Sequence, residues 1–491
     1  MKVASYPSLK SISVRQIVAT GCVLFVALSV WQNYLLQVNN DGILYVKAAR
    51  LFAEGKFAEA KALYKWNFYP LLVGEVSRIA GSDPLVTSRI LNICASALTL
   101  LVILRSAWMS EPSRRVLLCA MLLTFGNVWL NDLRAVVVRE HFYFLMMMLG
   151  FYCLLRDLQS PSWAYKVGFL LATTLAGLFR IEAFAFVVLV PLLRILFETS
   201  SRLLRMLAAS AILAALAASV LVVAFWFSES DLAGLFSRPA SRIEVLREQV
   251  LWPHLKNRAH LAYNSMVGGI VVFGLINALG LATLALFGFG ATSSSVVRRS
   301  PPFYLATLFL AIGILIVVVQ VYFAMVFDYR YALILSLILT VPAAIGGDRL
   351  IAQISNSQAV VPKALATFAT LVLLYGLISG LKVRDSRASQ LEAARWIALN
   401  IPKEASIISN NSQVLFYAGF GLYDEDLHFS SVYGSGAVAR LRDWKRFDVV
   451  ALELNHGQLA QIPELNASIG SSPVITFFGR HDSAIVIYKT R

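Results

Sequence analysis

The sequence predicts a membrane all-α bundle of about eleven transmembrane helices, with its N-terminus cytoplasmic, outer-face juxtamembrane helices and a small C-terminal soluble α/β domain. Three observations predict it. The 491 residues are 58% apolar and only 14% charged, whereas an average soluble domain has ~25% charged residues. Apolar runs long enough to cross about 30 Å of hydrocarbon recur along most of the chain. From Arg384 onward the composition changes to that of a water-soluble domain.

A formal charge of +15 on a soluble protein would suggest a nucleic-acid partner. Here much of the excess lies in short loops on one side, at Arg114/Arg115, Arg156/Lys166, Arg202/Arg205, Arg298/Arg299 and Arg349/Lys363, as the positive-inside rule requires. No nucleic acid is expected as a partner. The four cysteines fall inside predicted spans without a CxxC pair, which speaks against a disulfide framework or a zinc site; they are small packing residues. The sequence has no nucleophile elbow, phosphate-cradling glycine loop or HExxH, so a P-loop pump or zinc protease finds no support.

Residues 1–15 carry Lys2, Lys10 and Arg15, and 17–36 is apolar. The pattern is like that of a signal peptide, but Val38-Asn39-Asn40-Asp41 offers no small-residue cleavage site and the apolar run is too long. An uncleaved first helix follows, which brings Asp41 out on the outer face. Residues 42–82 are too polar to span. Ile43, Leu44, Val46, Ala48, Leu51 and Phe52 recur at helical spacing, and Phe57, Ala60, Leu63 and Tyr64 continue after Gly55. This predicts two short amphipathic helices on the membrane surface, ended by Tyr69-Pro70.

The remaining spans are expected at 85–104, 116–130, 136–155, 163–179, 183–199, 206–227, 266–289, 303–326, 331–347 and 363–381. An odd count leaves the C-terminal domain outside. The outer segment 228–264, with Trp252-Pro253-His254, reads as a long structured loop, helical in its middle. The expected division is a transmembrane module over 1–382, with outer loops 37–82 and 228–264, and an extracytoplasmic α/β domain over 383–491. In that domain 389–400 has a helical pattern. Residues 405–409, 414–417, 447–454 and the pair 474–479/483–488 read as strands, the pair turning through Gly479-Arg480-His481-Asp482. The domain carries no metal or nucleophile signature, which suits acceptor recognition or structural cover.

With this topology five charged sets share the outer boundary: Asp41; Asn131-Asp132-Leu133-Arg134; Arg139-Glu140-His141; Arg180-Ile181-Glu182; and Asp328-Tyr329-Arg330-Tyr331. One such charge at the bilayer centre costs ~2.5–3.5 kcal/mol on insertion scales, so a polar cavity or the interface is the expected place. Interfacial arginines often snorkel or pair with neighbouring acids, which accounts for any one of them taken singly. Several together on the side that positive-inside statistics leave poor in arginine point to one shared cavity. A sugar on a polyprenyl monophosphate leaves with phosphate, whose second pKa is ~6; that leaving group needs cations to hold its oxygens and no general acid. The acceptor hydroxyl needs a carboxylate to take its proton. A glycosidase would instead need a paired acid and base around the scissile bond, and this sequence has more outer cations than that scheme uses.

The chain resembles the C-type superfamily of polytopic glycosyltransferases, in particular the branch that holds bacterial protein O-mannosyltransferases and the lipid A aminoarabinose transferase. The residues that carry the resemblance are Asn40-Asp41-Gly42-Ile43-Leu44-Tyr45 with Ala48-Ala49-Arg50, then Tyr64-Lys65-Trp66-Asn67-Phe68-Tyr69-Pro70-Leu71-Leu72, then Asp83-Pro84-Leu85 with Ser88-Arg89-Ile90-Leu91-Asn92. Val138-Arg139-Glu140-His141-Phe142-Tyr143, Arg180-Ile181-Glu182-Ala183 and Asp328-Tyr329-Arg330-Tyr331 follow in the same order. The sequence departs from the pattern in having a single acid, Asp41, in the first-loop motif, Glu140 where an aspartate is commoner, and Lys65 offset from its proline.

The resemblance implies transfer of a sugar from a polyprenyl-phosphate donor to a hydroxyl of a protein, lipid or polysaccharide, with an inverting outcome. It implies Asp41 as general base. Arg330 and Arg139 are the first candidates for phosphate contacts, with Lys65 and Arg134 behind them. Glu140 would orient Asp41's surroundings or an arginine; Arg180 and Glu182 would shape the cavity as a pair, supported by Tyr69 and Tyr331. A divalent cation bridging Asp41, Glu140 and phosphate is compatible with these donors, but relatives that need no metal leave it out of the inventory. The expected location is a bacterial inner membrane, embedded among its lipids, with the site facing the periplasm. The rival readings are a transporter or flippase of lipid-linked sugars, for which the sequence shows no matching halves, and a non-catalytic envelope-assembly scaffold.

Overall fold

A computed structural model describes residues 13–35, 38–198, 201, 203, 204, 206, 207, 229–293, 299–356, 360–381, 388–420, 444–479 and 483–490. Nearly all of the expected span 206–227, together with Arg202, Arg205, Arg298 and the hairpin turn 480–482, lies outside the described residues. By contact the chain forms two compact units, one of Met1–Ser29, Asn92–Arg134 and Arg139–Leu381, the other of Val30–Leu91, Ala135–Val138 and Lys382–Arg491.

The helices in chain order are α1 Val14–Leu35, α2 Asn40–Ala53, α3 Phe57–Leu63, α4 Phe68–Ala80, α5 Pro84–Ser110, α6 Arg114–Phe125, α7 Val128–Arg134, α8 Glu140–Gln159, α9 Trp163–Phe179 and α10 Ala183–Glu198. They continue as α11 Glu229–Val245, α12 Ala259–Leu279, α13 Leu281–Ser293, α14 Pro301–Ala324, α15 Tyr329–Asn356, α16 Val360–Leu381, α17 Ala388–Asn400, α18 Ser412–Ala418, α19 His456–Leu459 and α20 Ile462–Ile469. Among the described residues six helices are long and apolar enough to cross a membrane, or seven if α6 and α7 count as one bent span. The protein is an integral, multi-pass membrane protein.

Three expected spans take a different form in the first unit. The run 116–130 is broken: α6 and α7 meet at 65°. Two asparagine side chains make the break tolerable in an apolar surrounding by binding backbone groups that the lost helical turn leaves open. Asn127 accepts the Leu130 amide at 2.9 Å, and Asn131 donates to the Phe125 carbonyl at 2.7 Å and the Gly376 carbonyl at 3.1 Å. The run 266–289 is also two helices, because the chain turns at Gly280 with φ +80°, a conformation that glycine adopts without a Cβ penalty. The run 136–155 begins as helix only at Glu140, since Ala135–Val138 pack with the second unit. Tight helix pairs use small residues: a Cβ on Gly376 of α16 would run into the carbonyl of Gly126, and one on Gly346 of α15 into that of Leu286.

In the second unit the two short helices expected within 42–82 form as α2 and α3. Tyr69-Pro70 does not end a helix: it lies in the first turn of α4, where proline is tolerated because the first amide groups of a helix have no internal partner. α4 lies against α2 at Gly74, where a Cβ would come 2.6 Å from the Ala49 carbonyl oxygen. The C-terminal domain holds a four-stranded sheet in the order β1-β2-β4-β3, of β1 Ile407–Ser409, β2 Val449–Leu454, β3 Ile475–Phe478 and β4 Ala484–Lys489. β1 and β2 are parallel and the other pairs antiparallel, in the register Ile407↔Val449, Val450↔Tyr488 and Phe477↔Ile485.

Period-two alternation splits the sheet's side chains between two cores. Ile407, Val449, Ala451, Ile485 and Ile487 pack with α17 and α18. Ile408, Val450, Leu452, Val486 and Tyr488 pack with Leu465 and Ile469 of α20. The expected strand at 414–417 is helix α18. Its N-cap Asn411 accepts the amides of Gln413 and Val414, and Gly419 closes it in the left-handed conformation. Four apolar residues carry no clear period, and the caps decide.

Candidate functional site

In the first unit the tertiary structure gathers charges that the sequence keeps far apart. Arg180 follows α9 in an extended conformation (φ −145°), so its side chain leaves the helix axis. Its guanidinium donates to Glu140 Oε1 at 2.8 Å and to both oxygens of Glu182 at 3.3 Å. It lies 3.9 Å from the centroid of the Tyr331 ring and 5.8 Å from that of Tyr143, close enough for cation–π attraction. Arg180 and Glu140 have side chains only 3% exposed. Glu140 opens α8, where the unpaired amides of the first turn favour an acid.

Arg330 opens α15 beside this pair. Asp328 holds it through the backbone amide at 3.0 Å and through Nε at 2.7 Å, while its Nη1 stands 3.9 Å from Glu140 Oε1. Arg139, next to Glu140 in the chain, is half-buried and within electrostatic reach of Tyr331. A small recess is lined by Tyr143, Arg180, Glu182, Phe186, Gly313, Ile316 and Tyr331. Glu140 Oε2 is buried and has no hydrogen-bond partner. Arg180 is committed to two carboxylates, whereas Arg330 keeps 27% exposure. The arrangement provides a rigid acid–arginine frame with a partly open cation beside it.

Arg134 has another setting. It is 2% exposed, stands over the rings of Phe25 and Phe125 at 4.7 and 5.9 Å, and donates to the Asn131 side chain. It belongs to the packing of the α6–α7 bend.

In the second unit Asp41 is half-buried and sits in the first turn of α2, two residues after the N-cap Asn39 (φ −77°, ψ 165°). The Asn39 side chain accepts the Val137 amide at 3.0 Å. Tyr69 is buried edge-to-face against Tyr45, which stands likewise against Tyr64. Lys65 is exposed between α3 and α4. Among the described residues no group of three or more His, Cys, Asp or Glu could hold a metal ion.

Sequence reasoning missed two features of the first unit. His141 is 1% exposed and shares a 2.7 Å hydrogen bond with Ser96; a histidine one place after Glu140 was the available signal. At the far end of α8 a second buried acid, Asp157, accepts from Arg194 at 3.1 Å. Glu140 and Asp157 are separated by about 26 Å of helix rise, close to the hydrocarbon thickness of ~30 Å.

No protein-family profile and no curated protein matches the sequence. Among solved structures the chain is similar to ArnT from Cupriavidus metallidurans in the apo state, with a TM-score of 0.50 and 12% identity over 96% of this chain and 98% of that one. The same protein bound to undecaprenyl phosphate gives 0.52 and 12%, over 96% and 97% of the two chains. The mycobacterial arabinofuranosyltransferase AftD (mutant R1389S, class 2) gives 0.47 and 15%, over 98% of this chain and 42% of that one. The chain has the fold of ArnT along nearly its whole length.

Proposed function

We propose that the protein transfers a sugar from a polyprenyl-phosphate-linked donor to an acceptor hydroxyl on the extracytoplasmic face of the membrane, with inversion at the anomeric carbon. The observation that carries this reading is the fold held in common with an ArnT structure bound to undecaprenyl phosphate, over 96% of this chain. In the reaction the acceptor oxygen bonds to the anomeric carbon as the bond from that carbon to the phosphate oxygen breaks. The hydroxyl proton goes to Asp41, and the lipid phosphate leaves as the anion. General-base assistance of this kind is typically worth ~10²–10⁴ in rate.

Arg330 and Arg139 are assigned to the phosphate oxygens, with Lys65 as a further candidate; Arg134, buried in the packing of the α6–α7 bend, is not. Glu140 orients Arg180, which with Glu182 and Tyr331 shapes the wall of the recess; Tyr69 supports the loop that carries Lys65. Arg330 suits its role because it is partly open and only loosely paired with Glu140, at 3.9 Å. We further propose eleven crossings with a cytoplasmic N-terminus, a membrane module over 1–382 and an outer α/β domain over 383–491, in a bacterial inner membrane with the site facing the periplasm. The ion pairs at the two ends of α8, Glu140–Arg180 and Asp157–Arg194, support that helix as a crossing despite its charges.

The test uses protein reconstituted in vesicles and a radiolabelled pool of undecaprenyl-phosphate sugars, with membrane lipids, proteins and polysaccharide supplied as acceptors. Label should leave the lipid phosphate for an acceptor, and Asp41→Asn should abolish transfer without moving the unfolding midpoint. Near-normal turnover by that variant removes the base. Movement of labelled lipid across the bilayer without transfer makes the protein a flippase, and neither activity leaves a scaffold.

A further inference from the structure

We infer that helix α18 of the C-terminal domain is a clamp on the Asp41 turn, with Gln413 and Tyr417 as positioning residues for the carboxylate. The inference rests on the reading of Asp41 as general base and gives the outer domain a part in the chemistry beyond recognition or cover.

The contacts all lie within the second unit and converge on residues 38–40. The Val38 amide donates to the Tyr417 hydroxyl at 2.9 Å, and the Val38 carbonyl accepts from Gln413 Nε2 at 2.8 Å. Both polar groups of this peptide position, just before a helix N-cap, are therefore held by side chains some 375 residues away in sequence. Ser412 Oγ donates to the Asn40 side chain at 2.8 Å. Phe416 and Tyr417 pack against the buried cluster of Val38, Ile43, Val46 and Val137. The Arg50 guanidinium lies 5.6 Å from the centroid of the Phe416 ring and bonds Asp83 at 3.1 Å.

The clamp is itself stiff. Gln413 is 7% exposed, and its backbone amide is fixed by the Asn411 cap at 2.9 Å. From below, the Asn39 side chain holds the Val137 amide, and Gly42 leaves no room for a Cβ, which would stand 2.6 Å from Asn39 Oδ1 and 2.8 Å from Val137 Cβ. Asp41 is the next residue after this pinned turn. A peptide N-terminal to a helix normally has its polar groups met by water or by its own turn. Two long-range side-chain bonds to one residue, plus a third to its second neighbour, fix the direction in which α2 starts and hence the placement of its first-turn side chains. Fixing a base this way matters because a displacement of about 1 Å in reacting groups can cost ~10²-fold in rate.

The test compares Gln413→Leu and Tyr417→Phe with Asp41→Asn in the full-length reconstituted protein, using the radiolabelled pool of undecaprenyl-phosphate sugars. Tyr417→Phe keeps the ring that packs in the cluster and removes only the acceptor for the Val38 amide. Each clamp variant should lower the single-turnover rate at saturating donor about 10- to 100-fold, leave the apparent donor KM within about twofold, and speed amide hydrogen exchange of the peptide covering 38–46. A rise in KM for the acceptor with an unchanged rate overturns the inference in favour of plain acceptor recognition. So do full turnover and unchanged exchange in both clamp variants while Asp41→Asn is inactive. Full turnover by Asp41→Asn is a different result, and it strikes the base assignment itself. A variant that fails to fold is recognised by exchange rising across the whole C-terminal domain, and Tyr417→Phe then decides the matter.

Discussion

The buried pair Glu140–Arg180 allows a prediction whose size follows from geometry. At 2.8 Å and an effective dielectric constant of ~20 the attraction between unit charges is about 6 kcal/mol, and much of it is spent on taking two ions out of water. Truncating one partner forfeits the attraction but not the desolvation of the other, an imbalance of about 3–5 kcal/mol. Glu140→Leu should fall at the low end, because Glu182 still faces Arg180 at 3.3 Å. Arg180→Met should be the more damaging change, since Glu140 is then left with only Arg330 at 3.9 Å. The Tyr331 ring also loses its cation, worth up to about 2 kcal/mol when desolvated. The double variant replaces the pair by apolar groups and should recover most of the loss, as apolar replacements of buried ion pairs commonly do. The assay is the SDS mole fraction at half-unfolding in mixed micelles, measured for the four members of the cycle. Simple addition of the two single losses in the double variant would refute the idea that the pair acts as a coupled, solvent-shielded unit.

Three further outcomes are expected. Arg330→Gln and Arg139→Gln should each weaken protection by undecaprenyl phosphate against thermal unfolding about 10- to 100-fold in concentration, since a charge-assisted hydrogen bond is worth about 1.5–3 kcal/mol; equal protection in both variants rejects their phosphate role. Gly376→Ala meets the backbone of Gly126, which cannot swing aside as a side chain could. It should destabilise the first unit by about 1–3 kcal/mol or more, and an unchanged melting curve would contradict the packing. Burial pushes the Tyr488 hydroxyl up to about 12. The neutral phenol is then favoured in the folded C-terminal domain, so its contribution is complete below the ordinary tyrosine pKa of ~10. It is lost as pH climbs from there towards 12, and Tyr488→Phe should flatten that alkaline decline in the domain's unfolding midpoint.

Most of the first unit was legible because apolar run length and end-placed charges are one-dimensional quantities. The places where reading failed share a physical cause. Asn127 and Asn131 look like ordinary polar residues until their side chains are seen closing the α6–α7 break. Gly280 sits in an unbroken apolar run and divides it only because its φ is positive. Residues 414–417 were too few to show a period, and Asn411 and Gly419 turned them into helix. The candidate site was legible as a set of residue types at helix ends. Arg180, Glu140 and Glu182 were named from sequence, but no local pattern tells which arginine meets which acid.

By itself, then, the sequence determined the solvent the long stretches prefer: hydrocarbon for the long apolar helices, and water for the less apolar C-terminal sheet domain. It also determined that acids and arginines stand at helix ends. Only the tertiary structure decided that Arg180 is shared by Glu140 and Glu182, that Arg330 stays partly open, and that Gln413 and Tyr417 grip Val38 from the other end of the chain. Partition between water and lipid depends on a residue and its near neighbours. Pairing across 40 or 375 residues depends on how whole helices and domains dock, and the chain encodes that only through the summed fit of many surfaces.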